Sequence, residues 1–165
     1  MTNCCVVVAE GSRARFFTLE QSDIPELEGG PDLVEHDSML NTEHRVPQDQ
    51  IYADSGGRNR SPGGPSHAYD EHRDQHDADT EQRFARDIAG RLAELIKHSG
   101  ARRAFLCAEK RMLGFLRPAL QEQTHDSAEV HEVSKDLAKL KPREIHERLA
   151  DDGYIAARQA PKAKQ

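Results

Sequence analysis

Cys4-Cys5-Val6-Val7-Val8-Ala9 opens the chain with an unbroken apolar run. A short run rich in β-branched residues, without polar alternation, predicts a strand covered on both faces. Glu10-Gly11-Ser12-Arg13 interrupts it with turn chemistry, and Ala14-Arg15-Phe16-Phe17-Thr18-Leu19 predicts a second strand. So short a connection makes the pair an antiparallel hairpin. A polar stretch with Pro25, Gly29, Gly30 and Pro31 follows, and Leu33 to Leu40 predicts a third strand.

From Asn41 to about Asp79 the pattern disappears. Val46, Ile51, Tyr52 and Tyr69 are its large apolar residues, against seven Gly or Pro and four His. So polar a chain cannot bury enough surface to offset its ordering entropy, which predicts a long mobile loop over about 41–78.

Regularity returns in the second half. Asp79 or Thr80 is placed to cap a helix whose Phe84, Ile88, Leu92, Leu95 and Ile96 recur at helical spacing. Lys97 and His98 suit its last turn and Gly100 its end. Ala101 to Ala108 predicts a buried strand. A helix through Leu113, Leu116 and Leu120 follows, beginning near Gly114 so that Pro118 lies in its first turn. Ala128 to Val133 predicts a half-exposed strand, and Pro142 opens a last helix with Ile145 and Leu149 inward. Tyr154 to Gln165 has no acid and no apolar period, which predicts a frayed basic tail. The order β-β-β, loop, α-β-α-β-α implies parallel pairs with crossover helices beside an antiparallel hairpin. The predicted fold is a single α/β domain over 1–153, with a mixed sheet of about five strands.

Composition narrows the function. The chain has 165 residues, enough for one domain, and no run of 18 apolar residues that would span a membrane. Met1 to Glu10 lacks a basic region before its apolar stretch and a small-residue cleavage site after it, so no secretory signal and a cytoplasmic location are expected. A formal net charge of −6 excludes a broad phosphate-binding coat, so any nucleic-acid contact must be local. Cys4, Cys5 and Cys107 are an odd set inside apolar runs, which reads as small buried hydrophobes in a reducing compartment.

The residues with chemistry fall into four groups. Ser55 to His67 carries Gly56-Gly57 and Gly63-Gly64 around Arg58 and Arg60, with no acid between Ser55 and Ser66. Glycine pairs let a backbone approach a phosphate closely, and arginine supplies planar donors. The stretch is neither a Walker loop nor a dinucleotide fingerprint, and the competing reading is a flexible linker with incidental charge. Arg13, Arg15, Arg102, Arg103, Lys110 and Arg111 flank the strands and, with Arg58 and Arg60, would form one basic face; scattered solvated charge is the alternative. His67, His72 and His76 lie among acids, and His72 and His76 at i, i+4 would share a helix face. So polar a stretch offers no rigid second shell, so no metal and no cofactor are expected. Glu10 and Glu109 end apolar strands and would meet at one sheet edge, where paired carboxylates bind Mg²⁺. No nucleophile elbow or zinc-protease motif is present.

Five segments in order resemble the bacterial host attachment proteins: Val7 to Phe17, Ser55-Gly56-Gly57-Arg58, Glu81-Gln82-Arg83-Phe84-Ala85-Arg86, Met112 to Arg117 and Lys135-Asp136-Leu137. The resemblance covers roughly 4 to 150. The order of elements is also similar to the central domain of archaeal and eukaryotic class I peptide release factors, where a hairpin and third strand precede a mobile loop and a long helix. There the loop carries Gly-Gly-Gln; here Gly56-Gly57-Arg58 and Gly63-Gly64-Pro65 stand in its place, without the glutamine. What the resemblance implies is a non-enzymatic module touching ribosomal or transfer RNA through Gly56, Gly57, Arg58, Arg60, Gly63, Gly64 and the basic face. The alternative is a protein-interaction accessory of attachment, and a metal-dependent hydrolase using the strand-end acids ranks third.

Overall fold

Three of the five strands run parallel, and the hairpin predicted at the start of the chain supplies the antiparallel part. The computed structural model describes residues 2–43, 66–124 and 127–162, with the side chains of 2–3 and 66–74 left aside. The strands are β1 (Thr2–Ala9), β2 (Arg13–Glu20), β3 (Asp32–Leu40), β4 (Arg103–Cys107) and β5 (Glu129–Val133). They lie in the order β3-β2-β1-β4-β5. β1 pairs antiparallel with β2 and β2 with β3, whereas β1–β4 and β4–β5 are parallel. The helices are α1 (Pro25–Glu28), α2 (Ser66–Ser99), α3 (Lys110–Thr124) and α4 (Pro142–Asp151). The single α/β domain and its mixed sheet are as predicted.

The unbroken apolar run of β1 follows from burial on both faces. Cys5, Val7 and Ala9 point into a core with Phe84, Ile88 and Leu92 of α2 and Leu113, Leu116 and Leu120 of α3. Cys4, Val6 and Val8 point the other way, into a core with Phe17, Leu33, Ile145 and Leu149. Successive side chains of a strand alternate faces, so a continuous apolar run requires two cores.

Three expectations need correction. The long helix begins at Ser66, well before Thr80. Its buried face runs from Thr80 to Ile96, about 25 Å, which matches the roughly 26 Å of an eight-residue strand. Among the described side chains of the helix, burial begins at Thr80, and the sequence before it carries no apolar period. Thr80 is consequently no cap: it is buried inside the helix, and its hydroxyl donates to the His76 carbonyl at 2.9 Å. Residues 44–65 of the predicted loop lie outside the described residues.

The second correction is α3, which starts at Lys110 with Pro118 inside it. Proline costs the bond to the Gly114 carbonyl, but Gly114 and Pro118 are both exposed, so water satisfies that oxygen. The third is the tail, which is docked through Gln159 rather than frayed from Tyr154 on. Ile155 is buried, the Ala156 carbonyl meets His146 Nε2 at 2.7 Å, and Arg158 pairs with Asp32 at 2.7 Å. Gln159 and Gly30 exchange backbone hydrogen bonds of 2.8 and 3.0 Å. Gly29 permits that contact, since a Cβ there would stand 2.3 Å from the Gln159 carbonyl. Tyr154 and Ile155 are the apolar residues that announce the docking, and the rest is made by the Gly30–Gln159 bridge and by the side chains of His146 and Arg158.

Candidate functional site

The C-terminal ends of β1 and β4 stand side by side, Val8 opposite Cys107, and Glu10 and Glu109 each follow two residues after that pair. Glu10 accepts a hydrogen bond from Ser12 Oγ at 2.6 Å and lies 4.0 Å from Arg13 Nε. Lys110 and Arg111 open α3 just beyond Glu109. Arg111 is 3.1 Å from Glu81 of α2. Asn41 ties the end of β3 to the same edge, its N–H to the Ser12 carbonyl and its side-chain amide to the Gly11 carbonyl. Glu43, the last described residue before the Gly/Arg segment, pairs with Arg83 of α2 at 2.8 Å. This edge therefore gathers Glu10, Arg13, Glu109, Lys110 and Arg111, and the chain leaves the described region beside them.

Arg15 does not belong to that surface. It is buried, and its Nε and Nη2 grip both oxygens of Glu35 at 2.8 and 3.0 Å. Nη1 donates to the carbonyls of Ala138 and Leu140 at 3.0 and 2.5 Å, and the guanidinium carbon lies 5.1 Å from the Phe17 ring centroid. Arg13 donates to the Ala138 carbonyl as well. The fork of Arg15 holds the Glu35 carboxyl below the usual carboxylate range, against a smaller opposing effect of burial. The sequence carries a signal for this: Arg15 alternates with Phe17 and Leu19 on a face that is otherwise apolar.

Arg102 and Arg103 lie at the opposite end of the sheet, where β4 begins next to Cys4 and Glu129. The guanidinium of Arg103 sits 5.8 Å above the Phe105 ring. His131 stacks on that ring at 5.3 Å and Tyr154 meets it edge-on at 5.9 Å. The six described basic candidates thus form no single face: three share the Glu10–Glu109 edge, one is internal and two are remote. Gly56, Gly57, Arg58, Arg60, Gly63 and Gly64 lie outside the described residues. His67, His72 and His76 all fall within α2. Among the described residues no group of three or more His, Cys, Asp or Glu is arranged to hold a metal ion, and no helix is long and apolar enough to cross a membrane.

The three cysteines are free and buried. Burial pushes the Cys4 thiol up to about 11 and Cys107 to about 12, and raises Cys5 against a weaker pull from the Ser99 hydroxyl. A disulfide-exchange reagent at pH 8 is expected to label none of them in the native protein and all three in denaturant. Because the folded thiols hold their protons more tightly than unfolded ones, the stability they contribute is full below pH 9 and falls as pH rises toward 12. Fast native labelling of one thiol would show that its wall opens.

The architecture is a two-core α/β domain whose candidate surface is the edge formed by the ends of β1 and β4. The chain belongs to the family described as "Protein required for attachment to host cells", whose model matches residues 5–149. No curated protein matches the chain.

Proposed function

We propose that the chain is a non-enzymatic, cytoplasmic RNA- or ribosome-associated module that works at the Glu10–Glu109 edge. Its family places it among proteins required for attachment to host cells, and RNA binding is the finer role proposed within that description. One observation carries the reading: Glu43 leads into the Gly/Arg segment at the same edge that bears Arg13, Lys110 and Arg111. The order of hairpin, third strand, inserted segment and long helix also supports a likeness to the release-factor central domain. Arg58 and Arg60 would bind RNA phosphate, with the glycine pairs admitting the backbone closely. Glutamine is absent beside Gly56-Gly57, so peptide release is not part of the proposal. The second reading, a protein-interaction accessory of attachment, draws on the family description and the net charge of −6.

Co-sedimentation with ribosomes at low and high salt separates the two. Phosphate contacts weaken steeply as salt rises. Arg58→Ala with Arg60→Ala is expected to weaken association and to reduce the salt slope by up to about two, one per lost contact. Deleting Ser55 to Pro65 is expected to abolish association with little change in thermal stability, since closure entropy varies by only about 0.6 kcal/mol per doubling of loop length. Unchanged binding by a stable deletion variant would sink the RNA reading. Collapse of that variant would show the segment to be structural.

A further inference from the structure

We propose that Lys139, Lys141 and Arg143, on the segment that follows β5, form a second phosphate-contacting strip for the RNA strand at the Glu10–Glu109 edge. The strip rests on the RNA reading of that edge and adds residues which that reading does not use. Residues 135–143 carry Lys135, Lys139, Lys141 and Arg143 against one acid, Asp136, on a chain of net charge −6. The segment also lies in the right place. The Ala108 N–H meets the Val133 carbonyl at 3.1 Å, so β5 ends beside the turn that carries Glu109 into α3. From there the chain crosses to Arg13, which donates to the Ala138 carbonyl. It therefore spans the edge from the start of α3 to the start of β2.

The backbone that presents these cations is fixed from below. Leu137 and Ala138 are buried. The Ala138 N–H meets Asp136 Oδ1 at 3.3 Å, and the Leu140 N–H meets the Leu137 carbonyl at 3.1 Å. Arg15 Nη1 donates to the carbonyls of Ala138 and Leu140. In a trans peptide the N–H points opposite to the carbonyl, so the N–H groups of Lys139 and Lys141 face away from that buried guanidinium. Neither has a partner among the described residues. Lys139, Lys141 and Arg143 are exposed and likewise have no ion pair there, whereas Lys135 is held by Asp152. Nor does α4 need them: cations at the start of a helix oppose its dipole, and Glu144 is the acid of that first turn. Two outward N–H groups beside three unpaired cations suit the oxygens of a phosphodiester, and a backbone already held in place loses little freedom on binding. The same donors would suit a carboxylate, but the Gly/Arg segment leaves Glu43 at this edge with arginine forks fitted to phosphate, which favours RNA.

The test is fluorescence anisotropy of a labelled oligouridylate with the full chain across a salt series. Lys139→Gln with Lys141→Gln is expected to weaken binding about tenfold per lost contact and to lower the salt slope by about 0.7 for each, the single-strand value. Both side chains are exposed, so the thermal midpoint should not move. On isotope-labelled protein, the Lys139 and Lys141 amide resonances should shift as the oligouridylate is added. Lys97→Gln with Arg102→Gln removes the same charge at the opposite end of the sheet and should leave affinity and slope unchanged. Wild-type binding by the Lys139, Lys141 variant, while Arg58→Ala with Arg60→Ala weakens it, overturns the strip and leaves the RNA reading standing. No binding by the wild-type chain overturns both. An equal loss in the Lys97, Arg102 variant would show bulk charge rather than a strip. Tighter binding of an oligoglutamate of matched charge would show an acidic protein partner. Either result overturns the proposal.

Discussion

Replacing Arg15 by alanine is expected to lower the unfolding free energy by about 3 kcal/mol, the low end of the range for breaking a buried ion pair. Arg15 is buried and uses four donors on three partners: both oxygens of Glu35 and the carbonyls of Ala138 and Leu140. Removing it leaves the Leu140 carbonyl without that donor and strands a carboxylate. The Glu35 side chain is 32 % exposed, so water recovers part of the loss and keeps the cost at that low end. Arg15→Lys keeps the charge but not the fork, so it should recover less than half. Urea unfolding at constant slope measures both values. A cost below about 1 kcal/mol would mean that residues 137–140 are held by something other than this guanidinium.

The same variant carries a pH signature. Glu35 titrates below its ordinary 4.5 in the folded protein because Arg15 grips it. A depressed folded value contributes stability that is present above pH 4.5 and lost as pH falls through the folded value. Arg15→Ala should therefore flatten the acid side of the stability profile. Partial exposure of Glu35 makes the flattening modest, and the neutral side should keep its shape.

Much of the sheet was legible because burial and pattern are the same fact seen twice. The apolar run of β1 means two cores, and the 3.6-residue period from Phe84 to Ile96 means one packed helix face. What escaped the sequence is whatever packing does not pattern. The first turns of α2 precede its buried stretch, which begins at Thr80, and the tail pairs through the Gly30–Gln159 backbone. The predicted basic face failed for a different reason. Charge is visible in a sequence but direction is not, and topology sends Arg15 inward and Arg102 and Arg103 to the far end. That Glu10 and Glu109 follow strands ending at the same side of the sheet was readable, since β1 and β4 are neighbours and parallel.

Leu92→Ala is expected to cost about 2–5 kcal/mol, the range for truncating a buried leucine. Leu92 is 0 % exposed and sits with Ile88, Leu106 and Leu116 where α2, α3 and the sheet meet. On a chain of 165 residues that loss should lower the thermal midpoint by about 2–4 °C per kcal/mol. The comparison that gives the number meaning lies on the same helix. Gln75 is exposed and precedes the buried stretch that begins at Thr80, so Gln75→Ala should stay within about 0.5 kcal/mol of wild type. The helix is then continuous in backbone but divided in energy, anchored by its sheet-facing part from Thr80 to Ile96. If Leu92→Ala costs less than about 0.5 kcal/mol, α2 does not hold that core and the architecture fails. If Gln75→Ala costs as much as Leu92→Ala, the extension is packed on a surface that the described residues do not supply.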